Sequence, residues 1–244
     1  MMEILYLVLI GLTAGIVKGT SGFGSSLVAI PLLLWVGFIP DEAVTMMITS
    51  NIILNVLLIR ENKDYFHMET IKKIYPIILG GVLFTAAGLY VVNNVSINPY
   101  VVEVIAGLLI IVAIINSLVK VKLSIKENFV SLFSVGILSG FGNGLASIDG
   151  PPVVFYLKSI DAPMQRFKST LAVHFFIMGI VGVVLLFFNG NYDSSILLST
   201  LYLFISLVVG LVIGMIAGRK LDEEMFKKVV LVVLIGLAVS LFIP

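Results

Sequence analysis

The sequence predicts an all-α membrane protein in which about ten hydrophobic segments form two inverted repeats of five. Of its 244 residues, 59% are hydrophobic and 12% are charged, whereas about 25% of the residues in a soluble domain are charged. Apolar runs recur along the whole chain, most of them near the roughly 20 residues that cross a bilayer as a helix. A Gly-rich motif also occurs twice. These features predict a single integral membrane domain.

We place the ten segments at about 4–20, 22–38, 42–59, 74–93, 100–119, 129–147, 150–158, 167–188, 196–217 and 226–243. The second and seventh segments are short for a full span, and each follows a Gly-rich break. We expect a first repeat over 1–120, a cytoplasmic linker over 121–128 and a second repeat over 129–244. Segment pairs one–two and six–seven either cross the membrane twice or return as re-entrant hairpins.

The basic residues predict the orientation of the chain. Fourteen of the fifteen Lys and Arg residues lie in four connections, which follow segments three, five, seven and nine. The alternating connections Asn93–Pro99 and Phe188–Ser195 contain none. Basic connections of membrane proteins face the cytoplasm. We therefore expect these four connections on the cytoplasmic side of the cell membrane and both termini outside.

The two halves of the chain share an order of features. Ser21-Gly22-Phe23-Gly24 recurs as Ser139-Gly140-Phe141-Gly142. An apolar run with proline, a short polar turn and three long apolar segments follow each copy. Because five is an odd number, the second copy would enter the membrane from the opposite side, as in many secondary transporters. Chance recurrence in a Gly-rich membrane protein is the alternative, but the shared order favours duplication.

The Gly motifs are expected to interrupt helices at membrane depth, which is tolerated where protein or a water-filled cavity satisfies the freed backbone groups. A helix that restarts near Gly22–Gly24 would direct its free N–H groups and its positive dipole end at an anion. Close helix packing is the alternative role for these glycines. The candidate substrate-binding residues are Lys18, Thr20, Ser21, Gly22, Gly24, Ser25, Ser26, Asn51, Gly140, Gly142, Asn143 and Ser147.

Three ionisable residues lie in apolar surroundings. Lys18, outside the four basic connections, could attract an anion or extend its ammonium group to the membrane surface. His174 could carry a proton or serve as a hydrogen-bonded packing residue. Asp149 precedes Gly-Pro-Pro, which favours an N-cap over a role in proton coupling. Asn51 and Asn55 share a helix face and could line the same cavity.

The sequence contains no motif of an enzyme or a metal site. It lacks HExxH, a P-loop, Gly-x-Ser-x-Gly and paired histidines at metal-binding spacing, and it has no cysteine. We therefore expect no catalytic residue, cofactor or metal. The net charge of +1 provides no basic field for nucleic acid. The expected partners are a small anion and the lipid bilayer, and a homodimer stays open.

At the two Gly motifs the sequence resembles the TauE/SafE family of sulfite exporters, also called TSUP anion transporters. The likeness covers nearly the whole chain and rests on Lys18–Ser26 with Pro31, then on Ser139–Gly144 with Pro151-Pro152. It implies transport of sulfite, sulfoacetate or another organosulfonate. It also implies a functional role for the motif residues Gly22, Gly24, Ser25, Gly140, Gly142 and Asn143.

The sequence thus predicts a secondary transporter that holds a small sulfur-containing anion between two half-helix N-termini. Rocking of one repeat against the other would expose the anion to each side in turn. Proton coupling through His174 or Asp149 is open. The alternatives are a passive anion channel and a structural membrane subunit that transports nothing.

Overall fold

The computed structural model is all-helical across the residues it describes, which are 2–61, 63, 68–94, 104, 126–160, 162–220, 222, 224, 225, 228 and 232. The helices in these ranges are α1 Met2–Ser21, α2 Ser25–Val36, α3 Pro40–Glu61, α4 Met68–Asn94, α5 Phe129–Ala146, α6 Gly150–Ser159, α7 Met164–Phe188 and α8 Ser194–Gly218. The predicted fifth and tenth segments lie almost wholly outside the described residues.

Six of these helices, namely α1, α3, α4, α5, α7 and α8, are long and apolar enough to cross a membrane. Helices α2 and α6 have 12 and 10 residues. At 1.5 Å per residue they extend about 18 and 15 Å, roughly half of the hydrocarbon core of a bilayer. The prediction that the second and seventh segments are too short for a full span is confirmed.

Each half-length helix is preceded by a break, at which the backbone adopts the left-handed conformation. Between α1 and α2, Gly22 and Gly24 have φ angles of 83° and 90°, which strain any residue with a Cβ. The predicted helix restart after Gly22–Gly24 is therefore confirmed. Between α5 and α6 the left-handed residue is Ser147, with φ of 52°.

The second copy of the motif, Ser139–Gly142, lies inside α5, and the break comes one turn later, at Ser147. This position agrees with the predicted end of the sixth segment at 147 and start of the seventh at 150. A glycine inside a helix costs about 1 kcal/mol relative to alanine. Close packing compensates for this cost, because Gly140 lies directly against the backbone of Gly81 in α4.

Two parallel helix pairs contain the closest contacts in the described residues, and each pair joins the two halves of the chain. Helix α1 packs along α8, and α5 packs along α4. Gly11 lies against Leu203, and Gly19 lies against Leu211, so α1 and α8 run in the same direction. The second pair shows the same parallel order through its own glycines. Small residues permit this approach of backbones in membrane helices.

Helices α3 and α7 pack against each other between these two pairs. Gly179 of α7 faces Ile52 of α3, and Gly182 faces Ile48. These contacts bring the middle of α3 next to the middle of α7. Side chains from both helices can therefore meet the two half-length helices in the interior of the protein.

Contacts at the two ends of the bundle separate the basic connections from the others. The Nε of Arg219 lies 3.1 Å from the Oε1 of Glu61, which joins the ends of α3 and α8. At the opposite end, the Nδ2 of Asn191 donates to the Oδ1 of Asn93 over 2.8 Å. Two basic connections thus share one end, and the connections without basic residues share the other. This grouping agrees with the predicted orientation, but which end is cytoplasmic stays a prediction.

Candidate functional site

The two breaks meet at a cavity in the middle of the protein. The cavity holds about 400 Å³ of empty space, counting its open part. The hydroxyl of Ser26 donates to the hydroxyl of Ser147 over 3.2 Å, which links the first turn of α2 to the break before α6. The cavity is lined by eight of the candidate residues: Lys18, Gly24, Ser25, Ser26, Asn51, Asn143, Ser147 and Asp149.

Lys18 forms the centre of a polar network on one wall of the cavity. Its side chain is buried, and its Nζ donates to the Oδ1 of Asn51 over 2.8 Å. The same oxygen accepts from the hydroxyl of Ser25 over 2.9 Å, and the Nδ2 of Asn51 donates to the hydroxyl of Ser26 over 3.0 Å. The alternative in which Lys18 reaches the membrane surface is therefore wrong, because the Asn51 amide holds the ammonium group inside.

The ammonium group of Lys18 retains capacity for a ligand. It carries three hydrogens, and Asn51 is its one hydrogen-bond acceptor among the described residues. Its Nζ also lies 5.6 Å from the ring centroid of Phe175, within the range of a cation–π interaction. A buried ammonium with unused donors is suited to bind an anion.

The N-terminus of α2 contributes backbone donors to the same wall. The first helical hydrogen bond runs from the N–H of Val28 to the carbonyl of Gly24 over 3.2 Å. The N–H groups of Ser25, Ser26 and Leu27 precede it and have no partner within the helix. Gly24 has no side chain that could cap them. Since all three residues line the cavity, these donors and the helix dipole favour negative charge there.

The N-terminus of α6 differs, because prolines occupy its first turn. Asp149 lies at the N-cap position, but its side chain accepts no cap hydrogen bond, so the predicted side-chain cap is wrong. An N-cap carboxylate accepts from the second or third N–H of the helix. These positions are Pro151 and Pro152, which have no N–H. The Asp149 carboxylate is therefore left on the cavity wall, and the N–H of Gly150 is the one backbone donor of that first turn.

Asn55 was expected to share a helix face with Asn51 and was not among the candidate binding residues, but it does line the cavity. It lies one turn after Asn51 on α3 and is fully buried. Neither its Oδ1 nor its Nδ2 has a hydrogen-bond partner among the residues that the structure describes. A buried amide without partners costs about 1–3 kcal/mol, so this side chain suits a bound ligand. The i, i+4 spacing to Asn51 was the signal in the sequence.

On the second half, Asn143 extends from α5 to the cavity. Its Nδ2 lies 3.4 Å from the hydroxyl of Thr85 and 3.5 Å from the carbonyl of Met178, which are long for hydrogen bonds. Its side chain can therefore turn towards a ligand at small cost.

His174 is fully buried and does not line the cavity, but its hydrogen bonds support the break between α5 and α6. Its Nε2 lies 2.8 Å from the hydroxyl of Ser139, and that hydroxyl donates to the carbonyl of Asp149 over 2.7 Å. A hydroxyl has one hydrogen, so Nε2 must be the donor in the first of these bonds. The Nδ1 of His174 is buried and has no hydrogen-bond partner within the described part of the chain. His174 therefore positions the backbone beside the cavity.

Five further candidate residues lie around the cavity but not on its wall. The Thr20 hydroxyl donates to the carbonyl of Ile16 or Val17 in its own helix, and the Ser21 hydroxyl closes the turn to Phe23. Gly22 donates its N–H to the carbonyl of Lys18, the carbonyl of Gly142 accepts from Ile148, and Gly140 packs against α4. Direct contact of these five with a substrate stays a prediction.

Comparison with known proteins places this architecture in a family. A family model described as Sulfite exporter TauE/SafE matches residues 7–241, nearly the whole chain, including both breaks and every lining residue of the cavity. No curated protein and no solved structure matches the chain. The family consists of membrane transporters of sulfite and related anions, not of enzymes. The chain therefore belongs to the TauE/SafE sulfite exporter family, and it is a multi-pass membrane protein.

Proposed function

We propose that the protein is a secondary transporter of a small sulfur-containing anion, such as sulfite, sulfoacetate or another organosulfonate. The observation that carries the proposal is the position of the buried Lys18 ammonium beside the uncapped N-terminus of α2, at one cavity. A full positive charge and a helix dipole in the same place favour an anion. Membership of a sulfite exporter family supports the chemical class.

The anion would lie between the two breaks, with its oxygens directed at donors from both halves. Lys18 and the first-turn N–H groups of α2 would hold one side. The amides of Asn55 and Asn143 would complete the shell, since their donors have weak partners or none. Asn51 would act by positioning the ammonium group.

The helix contacts support the inverted repeat and a transport cycle. The first helix of each half, α1 or α5, packs on the fourth helix of the other half, α8 or α4. This exchange is expected for halves related by a two-fold axis, and a site between them could open to each side in turn as the helices that line it shift. Since the sequence has no P-loop, the cycle would be driven by gradients. Proton coupling through Asp149 or His174, and the homodimer, stay proposals.

Uptake of labelled sulfite into proteoliposomes tests the proposal, with sulfate, sulfoacetate and thiosulfate as competitors. We expect saturable uptake, and a loss of apparent affinity of about tenfold to a hundredfold in Lys18→Gln, since a hydrogen bond to a charged group contributes about 1.5–3 kcal/mol. Lys72→Gln is the matched control, because Lys72 is exposed at the start of α4.

The outcomes separate the alternative functions. Uptake that does not saturate would indicate a passive channel. If the folded protein moves none of these anions and is not stabilised by them against heat, the transporter proposal fails and a structural subunit remains. Equal affinities of Lys18→Gln and the wild-type protein would remove the cavity as the binding site.

A further inference from the structure

The cavity wall contains two opposite charges that do not touch. Lys18 and Asp149 are its charged residues among those the structure describes. No nitrogen–oxygen distance within 4.0 Å joins them, although each is the main charged group acting on the other. The space between the Lys18 ammonium and the Asp149 carboxylate is therefore open to a third group.

In the empty cavity, the Asp149 carboxylate compensates the Lys18 ammonium. A buried charge without a compensating partner is strongly unfavourable. A bound anion takes over this compensation, because it contacts the ammonium directly. Asp149 would then be a second negative charge in the same cavity. Like charges at close range disfavour ionisation of the carboxylate, and the prolines of α6 offer it no N–H at the second and third positions of the helix.

We infer that the cavity takes a monovalent anion together with one proton, and that the Asp149 carboxylate receives this proton. The inference rests on the proposed function and specifies its substrate class. On loading, an O–H bond forms on Asp149 as the anion binds Lys18. On release, the anion leaves and the proton returns to water. Hydrogen sulfite and monosulfonates fit this class, whereas a divalent anion would leave an uncompensated negative charge.

The charge balance is the same in both states of the carrier. The empty cavity holds one ammonium and one carboxylate, and the loaded cavity holds one ammonium, one anion and a neutral carboxylic acid. Neither state carries net charge through the membrane interior, where net charge is costly. Transport would therefore be electroneutral, with one proton moving in the same direction as one anion.

Other titratable groups around Asp149 do not fit this role. Helix α1 contributes Lys18, and α7 contributes His174, whose Nε2–H is already donated to Ser139. The parts of α2, α3 and α5 that line the cavity contribute only neutral side chains. His174 reaches Asp149 only through the Ser139 hydroxyl and a backbone carbonyl, and it does not line the cavity.

Uptake of methanesulfonate, which stays monovalent across the working pH range, tests the inference in proteoliposomes. In the wild-type protein, a gradient of one pH unit, acidic outside, should raise accumulation about tenfold, and a membrane potential alone should change nothing. Asp149→Asn should lose the response to pH and gain a response to potential, because the anion then crosses alone. Asp193→Asn is the matched control, since Asp193 caps α8 far from the cavity.

Two results would overturn the inference while leaving the proposed function intact. One is wild-type uptake that follows the potential and ignores the pH gradient. The other is Asp149→Asn uptake that keeps its response to pH. If Asp149→Asn does not fold, wild-type uptake still decides. Thermal stabilisation of the wild-type protein by methanesulfonate adds a second measurement, because it should weaken as pH rises. Failure of the wild-type protein to bind or move any sulfur anion would instead reject the proposed function.

Discussion

Replacement of Gly140 by alanine should destabilise the protein without changing the chemistry of the cavity. A Cβ at this position would overlap the carbonyl oxygen of Gly81, and it would lie 2.7 Å from the Cα and 2.8 Å from the carbonyl carbon of the same residue. All three atoms belong to the backbone of α4, so none can rotate away. Helices α4 and α5 would have to separate by about 1 Å to restore ordinary contact distances.

Such overpacking costs about 1–3 kcal/mol. For a chain of this size, a loss of about 2 kcal/mol lowers the Tm by about 4–8 °C, which thermal unfolding of the purified protein in detergent would measure. Gly150→Ala is the control, since its added Cβ would meet the side chains of Phe175 and Phe23 at 3.5 Å, an ordinary contact. We expect the control to change stability by no more than about 0.5 kcal/mol. An unchanged Tm in Gly140→Ala with weaker anion binding would refute the packing role and indicate that the backbone of Gly140 meets the anion.

Two further substitutions test individual contacts. In His174→Gln the amide nitrogen can still donate to Ser139, so the dependence of transport on pH should be unchanged. His174→Leu leaves the Ser139 hydroxyl without its donor and should lower the free energy of unfolding by about 1–3 kcal/mol, measured by thermal unfolding. Loss of the pH response in His174→Gln would instead make His174 the proton carrier. Arg219→Gln should lower stability by less than about 1 kcal/mol, because the arginine of its ion pair with Glu61 is 69% exposed. A drop of several kcal/mol in the same assay would show that this pair fixes the ends of α3 and α8 together.

The membrane class, the two half-length helices and most of the cavity wall could be predicted from the sequence. A buried lysine, adjacent hydroxyls and an asparagine in an apolar segment are costly at membrane depth unless they meet one another. This physical constraint predicted the group formed by Lys18, Ser25, Ser26 and Asn51.

The second Gly motif does not itself form the break, because its glycines pack α5 against α4. Glycines that pack against a neighbouring helix recur every four residues, at Gly11, Gly15 and Gly19 in α1 and at Gly136, Gly140 and Gly144 in α5. Aligning these positions pairs Gly22 with Ser147 and Lys18 with Asn143. The proposed repeat is therefore better described by the packing glycines than by the shared Ser-Gly-Phe-Gly letters.

Two features of the site differ in whether they could be predicted from the sequence. The sequence analysis predicted a cap at Asp149, although Pro151 and Pro152 have no N–H to offer and the missing cap could have been recognised from them. The lack of partners for Asn55 could not be predicted in this way, because an amide finds or misses its partners through contacts between segments distant in the chain. Only the packing of α3 against the cavity decides it.

The glycine contacts also limit which parts of the protein can move in a transport cycle. The closest contacts, α1 on α8 and α4 on α5, run between the two halves rather than within them. Displacement of one half as a rigid block would shear backbone along backbone at both places, where each glycine fits one register. The contacts therefore disfavour the expected rocking of one repeat against the other, and we expect moving bodies that each contain helices of both halves. The two pairs that packed glycines hold together, α1 with α8 and α4 with α5, would stay fixed. Helices α2, α3, α6 and α7 would shift between them.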